Sequence, residues 1–162
     1  MNGEDIPRSD DSHDGAALLD AAATLLAKRR PDVPADFVAM LFGLAAPDDL
    51  DRYSAEPLAG IAERSWAFLA ERTAGVPKIS FEPAASPPGI AVLEIVNDDM
   101  PFLVDSVAGE LNRRGLDIRL FVHPVFVVER DSAGRLAGFM PARPAAGSRE
   151  SFIHLHIEGA DD

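Results

Sequence analysis

Two stretches with the composition of β-strands flank a stretch with the periodicity of a helix, and this order constrains the fold more than anything else in the chain. Residues 90–96 are rich in β-branched side chains and predict a buried strand. Residues 103–111 carry leucine and valine at helical spacing, and Gly115 stands where a helix would end. Residues 118–128 predict a second strand. The pattern therefore predicts a unit of strand, turn, helix and strand, with Pro101 in the first helical turn.

Further elements are predicted on both sides of this unit. Three helices with apolar stripes are predicted before it, at 16–30, 34–44 and 54–73, with a short helical turn at 48–53. Shorter strands are predicted at 78–82, 136–140 and 151–158, and the last of these alternates cleanly between two faces. The prediction is an α+β fold in which an N-terminal helical group precedes a sheet.

The predicted strands are apolar on both faces, so both faces of the sheet need cover. The helix at 103–114 can cover one face. The other face needs the N-terminal helices, a second copy of the chain or a partner domain, and the pattern leaves these three alternatives open.

Composition excludes several classes of function. With 27 acidic and 15 basic side chains the formal net charge is −12, which disfavours nucleic acid as a partner. The absence of cysteine excludes a thiol nucleophile, a disulfide framework and a cysteine zinc site. No apolar run approaches the ~20 residues that span a bilayer, so no membrane partner is expected. Residues 1–14 predict a flexible acidic tail without signal-peptide character, and a cytoplasmic location is the default.

The segment EIVNDDMPFLVDS at 94–106 resembles the N-terminal region of the large bacterial NAD-specific glutamate dehydrogenases, and the unit around it resembles an ACT-type domain. The segments LFVHPV at 120–125 and ESFIHLHI at 150–157 agree with that family. ACT-type domains are small ferredoxin-like βαββαβ modules that commonly sense amino acids in metabolic enzymes.

The resemblance implies a domain organisation and an incomplete module. Together with the composition and the predicted helices, it divides the chain into the tail at 1–14, a helical segment at 15–76 and an ACT-like domain at 77–162. The second helix and fourth strand of an ACT-type module would follow residue 157, so the ACT-like sheet is expected to be a truncated βαββ unit, incomplete at its C-terminal end or completed by another element.

The resemblance also implies a role within a larger enzyme. The parent would convert L-glutamate and NAD to 2-oxoglutarate, ammonium and NADH, whereas this segment would be regulatory or architectural and non-catalytic. The sequence contains no Gly-x-Gly-x-x-Gly, so no cofactor is assigned to the segment itself. The expected partners are the remainder of the parent enzyme, a second copy through the sheet, and an amino-acid effector. A free-standing amino-acid-binding or dimerisation module is the alternative.

The turn after the first strand carries the candidate effector site. Its residues are Asn97, Asp98, Asp99, Met100, Phe102 and Ser106. Amino-acid-binding ACT domains usually have glycine after the proline of this turn, and this chain has Phe102 there. A simpler interpretation of the carboxylates is structural, with Asp99 as the N-cap of the helix.

Two other sets of residues invite a functional interpretation. His154 and His156 have the i, i+2 spacing of zinc sites, and His123 on a nearby strand could be a third ligand of a small metalloenzyme. The structural alternative, hydrogen-bonded and partly buried histidines, is the commoner one, and no metal is assigned. Trp66 with its apolar neighbours could form a ligand pocket, but its helical spacing favours a place in the core.

Overall fold

A computed structural model describes residues 11–84, 88–140 and 147–159 of the chain. Its helices are α1 (Asp11–Arg29), α2 (Phe37–Phe42), α3 (Pro47–Leu50), α4 (Ala55–Leu69) and α5 (Leu103–Arg113). Its strands are β1 (Lys78–Pro83), β2 (Ile90–Asp98), β3 (Asp117–Val122), β4 (Val125–Arg130), β5 (Leu136–Phe139) and β6 (Ser148–Glu158). The α+β fold with an N-terminal helical group is confirmed.

All pairings in the sheet are antiparallel, and β6 is its central strand. One side of β6 pairs with β2 along the whole length of β2. On the other side its C-terminal half pairs with β3 and its N-terminal half with β4, which in turn pairs with β5. The two parallel strands of the unit β2–α5–β3 are therefore separated by β6, as the ACT-like interpretation requires. The strand β1 pairs with β2 at the outer edge, so an element from before the unit completes the sheet.

The two faces of the sheet are covered differently. The helix α5 packs over a cluster with Ile95, Ile153, Leu155 and Ile157. The N-terminal helices pack on the opposite face in a second cluster that includes Phe152. Of the three alternatives for covering the second face, the structure shows that the N-terminal helices cover it. We call the two faces of the sheet the α5 face and the helical-group face.

Several boundaries differ from the sequence prediction. The acidic tail is predicted to reach Asp14, whereas α1 already begins at Asp11; residues 1–10 lie outside the described part of the chain. The single strand predicted at 118–128 is two strands, because it breaks at His123 and Pro124 and proline has no N–H for the ladder.

The helix predicted at 34–44 begins at Phe37, after a turn in which the Phe37 N–H bonds to the Pro34 carbonyl at 3.0 Å. The helix predicted to reach residue 73 ends at Leu69. Beyond it, the backbone pairs with the β4–β5 hairpin instead: the Arg72 N–H donates to the Gly134 carbonyl at 2.9 Å, and the Leu136 N–H to the Ala70 carbonyl at 2.8 Å. Tertiary hydrogen bonds replace helical ones here.

The hairpin approaches this segment so closely that one position must be glycine. Gly134 has φ of +81°, and a Cβ built there would lie 2.3 Å from the Arg72 carbonyl oxygen. Any side chain would force the hairpin and the segment after α4 apart.

A buried ionic cluster holds the same junction together. Glu150 of β6, whose side chain is 2% exposed, accepts hydrogen bonds from Arg72 at 2.7 Å and from Arg130 of β4 at 2.7 Å. Arg72 also bonds to Asp98 of β2 at 2.9 Å, and Arg130 to the Leu69 carbonyl at the end of α4 at 2.9 Å. The helical group is thereby attached to three strands.

Glu150→Gln should lower the free energy of unfolding by about 3 kcal/mol, because it leaves two arginines facing a buried site without their shared countercharge. Urea denaturation of the chain followed by circular dichroism measures this loss. Glu71→Gln is the matched control: Glu71 and Arg135 form an exposed pair at 4.0 Å, so a change within about 0.5 kcal/mol is expected. Equal effects of the two substitutions would contradict the assigned role of Glu150.

Candidate functional site

A cavity of about 570 Å³ lies between the helical group and the sheet, and we call it the histidine cavity. Its wall combines residues from the α3–α4 region, the start of β2, β3 and the end of β6. The lining residues are Arg52, Tyr53, Glu56, Pro57, Gly60, Ile61, Arg64, Ala84, Ile90, Val92, Arg119, His154 and His156. This volume suits a small organic molecule.

The alternation of β6 explains why two histidines reach this cavity. Ile153, Leu155 and Ile157 belong to the α5-face cluster, so His154 and His156 lie on the helical-group face. The register pairs His154 with Glu94 of β2, and cross-strand partners share a face. An acidic side chain in an otherwise apolar strand is thus brought beside an imidazole.

Glu94 is a buried carboxylate between two nitrogen donors. It lies 2.9 Å from Nε of Arg64 on α4 and 3.1 Å from Nδ1 of His154. Burial alone would raise the pKa of Glu94, but the hydrogen bond and charge of His154 and those of Arg64 outweigh it and lower the pKa. Glu94 is therefore ionised, and it ties α4 to the two central strands.

His154 has one nitrogen without a partner. Its side chain is buried, and its Nδ1 is hydrogen-bonded to the Glu94 carboxylate. Its Nε2 has no hydrogen-bond partner within the part of the chain that the structure describes. Buried polar atoms are rarely left unpaired in folded proteins. Because this imidazole forms part of the cavity wall, a molecule in the cavity could supply the missing bond.

His156 is bonded to a phenol. Its Nδ1 lies 2.8 Å from the Tyr53 hydroxyl, and burial, together with the nearby His154 and Arg64, lowers the pKa of His156 to about 4. Burial also raises the pKa of Tyr53. Both groups are neutral near pH 7, so the bond joins two uncharged partners at one end of the cavity.

The arginines of the wall differ in how far their charge is already matched. Arg119 makes two hydrogen bonds to Glu158, at 2.7 and 2.9 Å, and Arg64 bonds to Glu82 at 3.2 Å as well as to Glu94. Arg52 is exposed and has no ion pair to any described residue. The surplus positive charge of the cavity wall therefore lies at Arg52.

The predicted effector turn lies elsewhere, and none of its residues lines the histidine cavity. Asn97 is buried and lies 3.4 Å from an Arg72 nitrogen, while Asp98 bonds to Arg72. Met100, Phe102 and Ser106 are exposed. Whether an amino acid binds at this turn stays a prediction.

The prediction that Asp99 caps α5 is wrong. Phe102 occupies the N-cap position, and no side chain makes a capping hydrogen bond there. Asp99 instead pairs with Arg149 of β6, with Oδ2 at 3.3 Å from Nε. Pro101 also precedes the helix rather than lying in its first turn, because α5 begins only at Leu103.

The three histidines of the metal alternative are not brought together. His123 contacts the ring of Phe121, which belongs to the α5-face cluster, whereas His154 and His156 lie on the helical-group face. Among the described residues no cluster of three or more histidine, aspartate or glutamate side chains could hold a metal ion.

Trp66 has the structural role that its spacing favours. Its ring meets those of Phe37 and Phe139 at centroid distances of 5.0 and 5.1 Å in the core.

No helix in the described ranges is long and apolar enough to cross a membrane.

Sequence reasoning missed Tyr53, Arg64 and Glu94 as site residues. The available signal was Glu94, a single charge on a strand that is otherwise apolar, placed on the face that must be covered. A buried carboxylate requires a partner, but the pattern of one strand does not reveal that Arg64 of a distant helix and His154 of another strand supply it.

Comparison with known proteins gives a consistent result. Residues 37–162 match the family model described as "Glutamate dehydrogenase, ACT1 domain". The chain is 32% identical over 131 residues to the NAD-specific glutamate dehydrogenase of Halomonas elongata, and 30% identical over 129 residues to that of Pseudomonas aeruginosa. These alignments cover 76% and 75% of this chain but only 8% of each relative. No solved structure matches the chain significantly.

Phe102 is an aromatic residue that is 76% exposed, and its backbone has φ of +66°, a conformation that favours glycine. Phe102→Gly should therefore be more stable than Phe102→Ala by about 1 kcal/mol, since only alanine keeps the left-handed strain. Both variants lose the aromatic ring, so their difference in urea denaturation isolates the backbone. An alanine variant as stable as the glycine variant would show that the backbone at residue 102 is not strained.

Stability should fall between pH 6.5 and 4, partly because His156 binds a proton on unfolding that it does not bind when folded. The pKa is about 4 in the folded chain and near 6.5 unfolded, so the contribution is complete above pH 6.5 and is lost as the pH falls to 4. His156 alone should add up to about 1.4 kcal/mol per pH unit to the slope. His156→Gln should remove that part of the slope in urea denaturation at several pH values. An unchanged slope would show that His156 is not buried in its neutral form.

Proposed function

The chain belongs to the glutamate dehydrogenase ACT1-domain family, and we propose that it is a regulatory and architectural, non-catalytic segment of a large NAD-specific glutamate dehydrogenase. In that enzyme L-glutamate and NAD would give 2-oxoglutarate, ammonium and NADH, and NAD would bind outside this segment. A cytoplasmic location is part of the same proposal.

The observation that carries the proposal is how short this chain is beside the relatives that it matches. The chain spans about 8% of the curated relatives that it matches, and three quarters of it aligns with them. The rest of such an enzyme offers ample room for a dehydrogenase domain.

The outer edge of the sheet supports the architectural part. Ile79 and Phe81 of β1 are 64% and 56% exposed, and they pair with Ile95 and Leu93 of β2 on the α5 face. The helix α5 does not cover this end of the sheet. We propose that the remainder of the enzyme packs here, with contact between two copies of the segment as the competing outcome.

The test uses the whole enzyme and the isolated chain in parallel. The isolated chain should form no NADH from glutamate and NAD, while the whole enzyme should. Replacing both Ile79 and Phe81 by serine in the whole enzyme should lower its thermal stability and loosen its assembly, measured by thermal inactivation and light scattering, without removing its activity.

Leu44→Ser is the matched control, because Leu44 is 62% exposed but lies in the helical group. It should leave the assembly intact. Glutamate-dependent NADH formation by the isolated chain would overturn the non-catalytic role. An unchanged assembly in the double variant would overturn the architectural role, and self-association of the isolated chain through β1 would favour the competing outcome.

A further inference from the structure

We propose that the histidine cavity binds a small aliphatic carboxylate that carries a hydroxyl or an amide group at its other end. This site is separate from the turn at 97–106, and the proposal concerns binding by the chain itself. It holds whether or not the segment regulates a dehydrogenase.

The hydroxyl or amide end follows from His154. Its Nδ1 lies 3.1 Å from the Glu94 carboxylate, so Nε2 is the nitrogen left for another partner. His154 lines the cavity, and no described residue bonds to the buried Nε2. A bound hydroxyl or amide can both donate and accept a hydrogen bond, so it would satisfy Nε2 in either role, and an entirely apolar molecule would not.

The carboxylate end follows from the arginines. Arg52 and Arg119 both line the cavity, and Arg119 is already paired with Glu158. Arg52 alone has no ion pair to a described residue, so its guanidinium can bind a carboxylate through charge-assisted hydrogen bonds. The Tyr53 hydroxyl lies in the same wall and offers a further polar contact.

The aliphatic body follows from the rest of the wall. Pro57, Ile61, Ile90 and Val92 line the space together with Ala84, and a volume of about 570 Å³ is large enough for a short chain. One unmatched cation in a chain of net charge −12 suits a single carboxylate and disfavours a polyanion.

Three sets of probes separate these features. The first is the series of ω-hydroxy carboxylates from 3-hydroxypropionate to 6-hydroxyhexanoate. The second is the unsubstituted carboxylates of equal length, which lack the hydroxyl. The third is the diols of equal length, which lack the carboxylate. Titration calorimetry on the chain should show saturable binding of one ω-hydroxy carboxylate, about fivefold tighter than its unsubstituted counterpart, and no binding of the diol.

Substitutions locate the binding. Arg52→Gln should weaken both classes of carboxylate about tenfold, because it removes the charge but keeps a polar side chain. Arg113→Gln is the control, since Arg113 is exposed on α5 on the other face of the sheet and should leave affinity unchanged. His154→Phe should abolish the preference for the hydroxylated probes.

A direct readout covers the case in which His154→Phe does not fold. In the unsubstituted chain, the nitrogen resonances of the His154 ring should shift on binding of the preferred probe, and the Nε2 signal should shift most. Diols binding as well as carboxylates, an Arg52→Gln variant with unchanged affinity, unmoved His154 resonances, or no saturable binding of any ω-hydroxy carboxylate would each overturn the proposal.

Discussion

The carboxylate of Glu150, shared by Arg72 and Arg130 in the interior, is the interaction on which the arrangement of the whole chain depends. A charge buried this deeply is tolerated only when its partners are in place. Those partners come from the segment after α4 and from β4, while Glu150 itself is on β6. Satisfying one carboxylate therefore sets the position of the helical group on the sheet and the position of the β4–β5 hairpin against that group.

The docking of α4 also creates the histidine cavity. The C-terminal end of α4 is held by Arg130, whose guanidinium bonds to the Leu69 carbonyl, and its middle is held where Arg64 meets Glu94. The region before α4 then extends over the end of β6, where Tyr53 reaches His156. In the described part of the chain, the buried charged side chains and both buried histidines lie on this helical-group face. The α5 face is apolar at its centre and exposed at β1, which suits it to contact with another surface.

Much of the architecture was predictable, because periodicity reports local burial. The alternation of residues 151–158 correctly assigned the two faces of β6, and Gly115 correctly marked the end of α5. The errors occurred where non-local contacts outweigh local preference. The backbone after Leu69 leaves the helix to pair with the hairpin, and Asp99 bonds to Arg149 instead of capping α5. The candidate site was predictable only in its two histidines, because its other groups come from distant parts of the sequence.

The sequence by itself determined the order of helices and strands, the two-sided apolar character of the sheet and the resemblance to the dehydrogenase family, since each depends on neighbouring residues or on an ordered motif. Only the tertiary structure decided which of three possible partners covers the second face of the sheet. It also decided that Tyr53, Arg64 and two histidines surround one cavity, with Glu94 bonded to Arg64 and to His154. The physical reason is that an amphipathic pattern specifies which side of an element is buried, whereas its partner is selected by packing and by the pairing of buried charges across the fold.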